Sequence, residues 1–587
     1  MGERPEKAAE IGTDVNHGDS PSMLKRCLLF MLLATAVVAA QPDLFSRLLA
    51  ESRLGDHPDH HRRCLLPVVL EAAAAPQDAP LKSSWAAYRQ SLDASAQKTA
   101  QLEYLSPSGH FSINYFTQGT HAVPGYDRNG NQLPDFVEFA AIGMDRAWAI
   151  EVDSLGFNPP PNADGSIRTV YPVNLRWLGR GTYGLTDFDL DEDIPNRAGL
   201  NFPSEIFLNV DMSFVSYPEI TGDTIAWDSL ALAVTTAHEF NHALQLGYRF
   251  WEASNGGWTD LRLIEATATL MEEVVASEVN DYFMVLDSYF GLTRLNFEDT
   301  RVLYGDVVFY IMLSRLYGFG HARELWEEIT ARPGLEALEA ILGGRGSSVE
   351  EELIRLAGWL GNSGSRTRPG RFFPDAAGFP DIPFNTTITL DGNDTGIQTV
   401  FQNELPTLAF EFLRIPVSPA ASVQVLLESQ GGQNAWQGVS LSDDDPFAEP
   451  FPEGIALNYD GGTFAEAVYA AVVKGAAQAD TLEDYTFYAR ASQSDPAGRG
   501  NLPFAYPNPL HPGSRASEIT IENLPTGKKV LILNGSGDRV TVLDPGPEGR
   551  RVFWDLNNSQ NEPVASGVYL FVVDGEEDKN GKIMIVR

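Results

Sequence analysis

The chain has 587 residues, with 79 Asp and Glu against 42 Lys and Arg, and a formal net charge of −37. That balance excludes nucleic acid as a natural partner and disfavours an anionic membrane surface. The length calls for several domains, and two cysteines cannot supply a disulfide framework.

Residues 23–40 (MLKRCLLFMLLATAVVAA) place Lys25 and Arg26 before an apolar stretch that ends in small residues at Gln41. This is the pattern of a signal peptide, so residues 1–40 read as a targeting region and the mature protein as secreted or held at the cell surface. The polar residues 1–22 ahead of it make Met23 a candidate start. The apolar run is short for a membrane span, and no other stretch reads as one. Residues 41–105, polar and Ala-rich, read as a leader or propeptide. Cys27 leaves with the signal, so Cys64, in HHRRCLLP, stands alone. A leader thiolate can occupy the open position of a metal and hold a site shut, and Arg62 and Arg63 favour the thiolate. The competing reading is an inert thiol.

Residues 106–360 show mixed strands followed by helices, which suits an α+β domain. Within it, Asp127, Asn129, Asn131, Asp135 and Glu138 fall at positions 1, 3, 5, 9 and 12 of a loop, the spacing of a calcium site. Gln132 stands at position six, where such loops carry Gly. The alternative is a polar turn with Asp135 as a helix cap. Residues 205–213 (EIFLNVDMS) alternate in part and are nominated as an edge strand that would pair with a peptide.

Residues 238–242 read HEFNH, inside a stretch (228–250) with no Pro and one late Gly, so a helix is expected. His238 and His242, at i and i+4, share a face and can bind one Zn²⁺, with Glu239 beside the open coordination position as general base. A catalytic zinc takes three protein ligands and a water. No third His follows at the metzincin spacing, because position 248 is Tyr. Residues 258–276 read as a second, amphipathic helix. Glu265 lies there among Ile264, Ala266, Thr267 and Ala268, small neighbours that allow two helices to approach, and it is the expected third ligand. The alternative is an acid placed to favour the helix dipole. Glu272, two turns on, suits an acceptor for a ligand His N–H, with Asp260 and Glu273 as weaker candidates. Tyr304 is a candidate oxyanion donor, weighed against a packed aromatic.

The HExxH string with a Glu on the next helix resembles the gluzincin arrangement. The run W-x(n)-E-x-x-A after it resembles a family of secreted bacterial metalloproteases whose usual form is E-G-x-A; here Ala266 replaces the Gly. The resemblance spans residues 105–330, including HFSINY, the Asp127–Glu138 run and NDYF at 280–283. It implies a zincin-like α+β domain and a zinc-dependent peptidase, with no substrate specified.

Residues 361–383, rich in Gly, Pro and Arg, read as a linker. Alternating stretches over 384–494 read as a β-sandwich accessory domain. Residues 500–587 carry six short β runs at spacings of about ten residues, again a sandwich. Their YPNP, WDLNN, ASGVYLF and GKIMIVR strings resemble the FlgD-like immunoglobulin domain and are similar to type IX secretion sorting domains, which implies a contact with secretion machinery. The whole reads as a multidomain secreted zinc endopeptidase acting on protein or peptide. Two other readings stay open: a non-catalytic surface protein with a structural zinc, and a zinc hydrolase of a non-peptide substrate.

Overall fold

The computed structural model describes residues 44–585, with its longest breaks at 53–62, 94–99, 189–201, 391–398, 430–435, 442–448, 460–466, 475–481, 494–502 and 511–517. The expected signal peptide lies outside the described residues, as do Arg62 and Asp260. Among the described residues no helix is long and apolar enough to cross a membrane.

The architecture is mixed α/β in the first part and separate β-sheet domains in the second. After helices α1 (Leu66–Ala74) and α2 (Pro80–Leu92) comes a five-stranded sheet. Its strands are β1 (Leu102–Leu105), β2 (Phe111–Tyr115), β3 (Tyr171–Arg176), β4 (Gly184–Phe188) and β5 (Ser204–Asn209), in the order β1-β2-β3-β5-β4. β2, β3 and β5 run parallel, and β4 pairs antiparallel with β5 at the edge. The central strands are buried almost throughout, the pattern of a sheet covered on both faces. One face carries α3 (Asp135–Ala147) and the long α4 (Thr224–Gln245). Gly143 of α3 permits this: a Cβ there would meet Thr236 Oγ1 of α4 at 2.5 Å.

The nominated edge, 205–213, is β5, and it lies inside the sheet; the edge is β4 instead. The segment read as a leader is packed into the domain. Cys64, Leu65, Leu66, Val69, Trp85 and Tyr88 are buried in the same core as the sheet and helices. Arg89 stands over the Phe207 ring and pairs with Asp187 and Glu205, and Tyr88 donates to the Leu178 carbonyl at 2.8 Å. The segment read as a linker is likewise packed: Phe373, Phe379 and Ile382 are buried in that core, and Asp381 accepts from Ser365. Its Gly and Pro density masked apolar residues that prefer burial.

The second part holds two β domains. In one, the strands Phe410–Pro416, Trp436–Leu441 and Ala467–Lys474 share a five-stranded sheet. That sheet faces a four-stranded one built on Ala421–Ser429, Leu482–Gln493 and Thr399–Pro406 across a common core. In the other, strands from Phe504 to Ile585 form a three- and a four-stranded sheet around Trp554, Ile532 and Phe571. All six sequence-read runs here start within two residues of an observed strand.

Candidate metal centre

Asp223 opens α4 as its N-cap, its carboxylate accepting from the Ile225 N–H at 3.0 Å. From residue 234 to its end α4 is buried on every side, so His238, Glu239 and His242 project into the interior. α5 (Leu261–Val275) packs across it, and its small residues Ala266 and Ala268 are fully buried at that crossing. Glu265 thereby reaches His238 Nε2 at 3.4 Å and His242 Nε2 at 3.6 Å.

The second nitrogen of each ring is already engaged. His238 Nδ1 lies 2.8 Å from Glu272 Oε1, and His242 Nδ1 lies 2.8 Å from Gln245 Oε1. Both partners are acceptors: Glu272 is a carboxylate, and the Gln245 amide nitrogen donates to Asn241, the Ile264 carbonyl and Thr267. In the neutral imidazoles each Nδ1 therefore carries the proton, and each Nε2 presents a lone pair. The two Nε2 atoms face each other at 3.0 Å. Neither oxygen of the buried Glu265 carboxylate has a hydrogen-bond donor. Two imidazole nitrogens and a carboxylate without donors converge on one buried point, so the donor set fits a metal ion. Of the acids read from the sequence, the structure brings Glu265 and Glu272 beside the two imidazoles.

The fourth member is Cys64. Its ligand atom and those of His238, His242 and Glu265 all lie within 4.8 Å of one another, and all four residues are buried. Residues 63–65 reach this place by pairing with the sheet edge in parallel. Tyr183 N–H donates to the Arg63 carbonyl at 2.8 Å, and Leu65 N–H donates to the Gly184 carbonyl at 3.2 Å. The expectation that Arg63 would favour the thiolate is not met. Burial, with the Glu239 and Glu265 carboxylates nearby, pushes the Cys64 thiol up, while the Leu66 N–H opposes this. The Arg63 guanidinium turns away to Glu272 (3.1 Å) and Asp281.

Glu239 sits beside the group without joining it. Thr186 of β4 donates to its Oε2 at 2.7 Å, and Gly184 leaves it room, since a Cβ there would meet the Glu239 carboxylate at 2.5 Å. Burial pushes its pKa up to about 7, against the pull of His238, Thr186 and Cys64. Tyr304 is fully buried, its ring 6.2 Å from that of His238 and its hydroxyl toward the Cys64 backbone. Burial and Glu265 hold the phenol well above its usual range, so it remains an O–H donor.

Glu273, a weaker candidate for the site, faces away from it. Burial and the neighbouring Asp375, Glu278 and Glu272 raise its pKa to about 8. A carboxyl raised in this way contributes stability below its unfolded pKa and loses it as pH rises through about 8. Glu273→Gln is therefore expected to be more stable than the parent at pH 9, by about 1–2 kcal/mol, and to show no gain at pH 5. Urea melts at both pH values measure this; equal effects at both would refute it.

The calcium-loop residues also come together. Asp127 accepts from the backbone of Gly130, Asn131 and Gln132, and Glu138 accepts from the side-chain amides of Asn129 and Asn131 at 2.8 Å. Asp135 accepts from the Arg128 N–H, and it is the first residue of α3 and not its cap. Gln132 adopts φ 71°, the left-handed conformation that glycine usually supplies at that position.

No family model and no curated protein matches the chain. Among solved structures, PorZ of Porphyromonas gingivalis, a surface component of the type IX secretion system, matches over 17% of this chain at 25% identity with a TM-score of 0.14. The periplasmic lysozyme inhibitor PliG of Salmonella Typhimurium matches 18% of this chain at 7% identity (TM-score 0.15). A Ruminococcus gnavus β-glucuronidase matches 40% of this chain at 11% identity (TM-score 0.16). The chain spans 14% of PorZ, 99% of PliG and 42% of the glucuronidase, and overlaps at these scores carry no argument about function.

Proposed function

We propose that the chain is a secreted zinc endopeptidase of gluzincin type and that residues 63–65 hold it latent. The observation that carries this reading is the convergence of His238, His242 and Glu265 with Glu239 alongside. Two imidazoles, a carboxylate and a thiolate suit Zn²⁺ over Ca²⁺ or Mg²⁺. Bound zinc would acidify its water and polarise a scissile carbonyl. Glu239, near neutral in pKa and oriented by Thr186, would accept a proton at its carboxylate and return it to a leaving amine. Tyr304 keeps a phenolic proton beside the place now taken by Cys64 and serves as the oxyanion donor. Glu272 and Gln245 fix the imidazole tautomers. β4 is the strand on which a peptide would lie, as residues 63–65 do.

Cys64 also favours a second reading. A Cys, two His and a Glu make a closed four-ligand set, as a structural zinc site has. Zinc content and casein cleavage, measured on the chain from Gln41 onward before and after leader cleavage, separate the two. About one zinc per chain, with chelator-sensitive cleavage after trimming, supports the peptidase. Zinc retained without cleavage supports the structural site or a non-peptide substrate.

The acidic 127–138 loop is assigned to Ca²⁺ on the same terms. Millimolar Ca²⁺ is expected to raise Tm by several degrees, with the rise lost in Asp127→Ala. A Ca²⁺ response unchanged in that variant would remove the assignment. The FlgD-like strings of the last domain support a role in export or surface retention.

A further inference from the structure

The Arg63 side chain enters a pocket walled by Tyr183, with two carboxylates at its end. Its guanidinium stacks 5.1 Å above the Tyr183 ring. It meets Glu272 Oε2 at 3.1 Å and Asp281, whose side chain is fully buried. Tyr217 donates to Asp281 Oδ1 at 2.7 Å, which fixes that carboxylate toward the pocket. Arg63 is itself 8% exposed. A planar cation over an aromatic face and paired with carboxylates is how proteins recognise guanidinium groups.

Two features make this more than an anchor for the leader. Arg63 immediately precedes Cys64, so its pocket opens about one residue, ~3.8 Å along the chain, from the centre where a scissile bond would stand. And the pocket holds two acids against one base, so departure of the leader strips both of their buried cation. Removing one partner of a buried pair is strongly unfavourable, and the emptied pocket therefore attracts another cationic side chain.

We infer that the Asp281–Glu272–Tyr183 pocket is a substrate subsite for a basic side chain, Arg above Lys, next to the scissile bond. Arg63 occupies it as a stand-in for substrate. The inference rests on the peptidase reading above, and the test separates the two.

The first arm needs no turnover. Full-chain Arg63→Ala is expected to melt below the parent and to regain several degrees with millimolar N-methylguanidinium, while the neutral isostere N-methylurea restores nothing. The parent, its pocket filled, should not respond. No rise in Arg63→Ala, or an equal rise in the parent, overturns the subsite. In the second arm, the zinc-loaded full chain carrying Arg63→Ala and Cys64→Ala is offered peptides varied on both sides of the cleavage point. Arg at one flanking position should exceed Leu by about tenfold or more, and Asp281→Asn should erase that preference while Leu peptides are still cut. Cleavage with no basic preference overturns the subsite and leaves the peptidase standing. No cleavage of any peptide, in a chain that responds to N-methylguanidinium, overturns the peptidase and with it the substrate role of the pocket.

Discussion

Glu239→Gln is expected to keep about one zinc per chain and the parent melting temperature while proteolysis falls by about 10³-fold. The amide preserves shape and still accepts from Thr186, whose hydroxyl also bonds the Glu239 carbonyl at 2.8 Å, so the local backbone is held. What is lost is the basic oxygen. Glu239 is not among the converging donors, so metal content should not change. Zinc by mass spectrometry and casein hydrolysis on the same leader-trimmed sample make the comparison. Loss of zinc in the variant would place Glu239 among the ligands and refute its role as base. Full activity would remove the mechanism.

Cys64→Ala in the untrimmed chain is expected to raise proteolysis about tenfold above the parent, with zinc retained by the other three donors. The gain should stay below that of trimmed protein. Leu65 would still pair with Gly184, and Arg63 would still be tied to Asp281 and Glu272. Activity assays of both chains at equal zinc loading read this directly. Should Cys64→Ala lose its metal and its fold without gaining activity, the four donors form a structural site and latency is refuted.

Much of the site was legible along the chain because helices repeat. HEFNH sits at i and i+4, and Glu265 and Glu272 lie two turns apart on one helix, so a periodicity argument places all four side chains on facing surfaces. The Arg63 pocket was not legible. Arg63 and Glu272 are 209 residues apart, and no local pattern joins them; only the parallel pairing of residues 63–65 with β4 does so. The edge strand was misassigned for a related reason. β4 and β5 are both buried along nearly their whole length, and which one ends the sheet depends on long-range order. In the middle β domain, Thr399–Pro406 carries polar Gln402, Asn403 and Glu404, which weaken its strand pattern. The segment 361–383 shows the opposite error, where turn-forming residues hid Phe373 and Phe379.

The leader is joined to the domain by far more than its thiol. Leu65, Leu66, Val69, Trp85 and Tyr88 share the domain core, and Arg176 donates to the Leu92 carbonyl at 3.1 Å. Cutting the chain between Asp93 and Ala100 would therefore not expel residues 63–92; it would turn a tethered plug into a separate, tightly bound ligand. Silence would then obey mass action. A cleaved enzyme would stay quiet where it is concentrated and wake on dilution, with a lag set by the off-rate of the severed piece. On the latent-peptidase reading proposed above, such a protein would carry its own delay, timed by dilution.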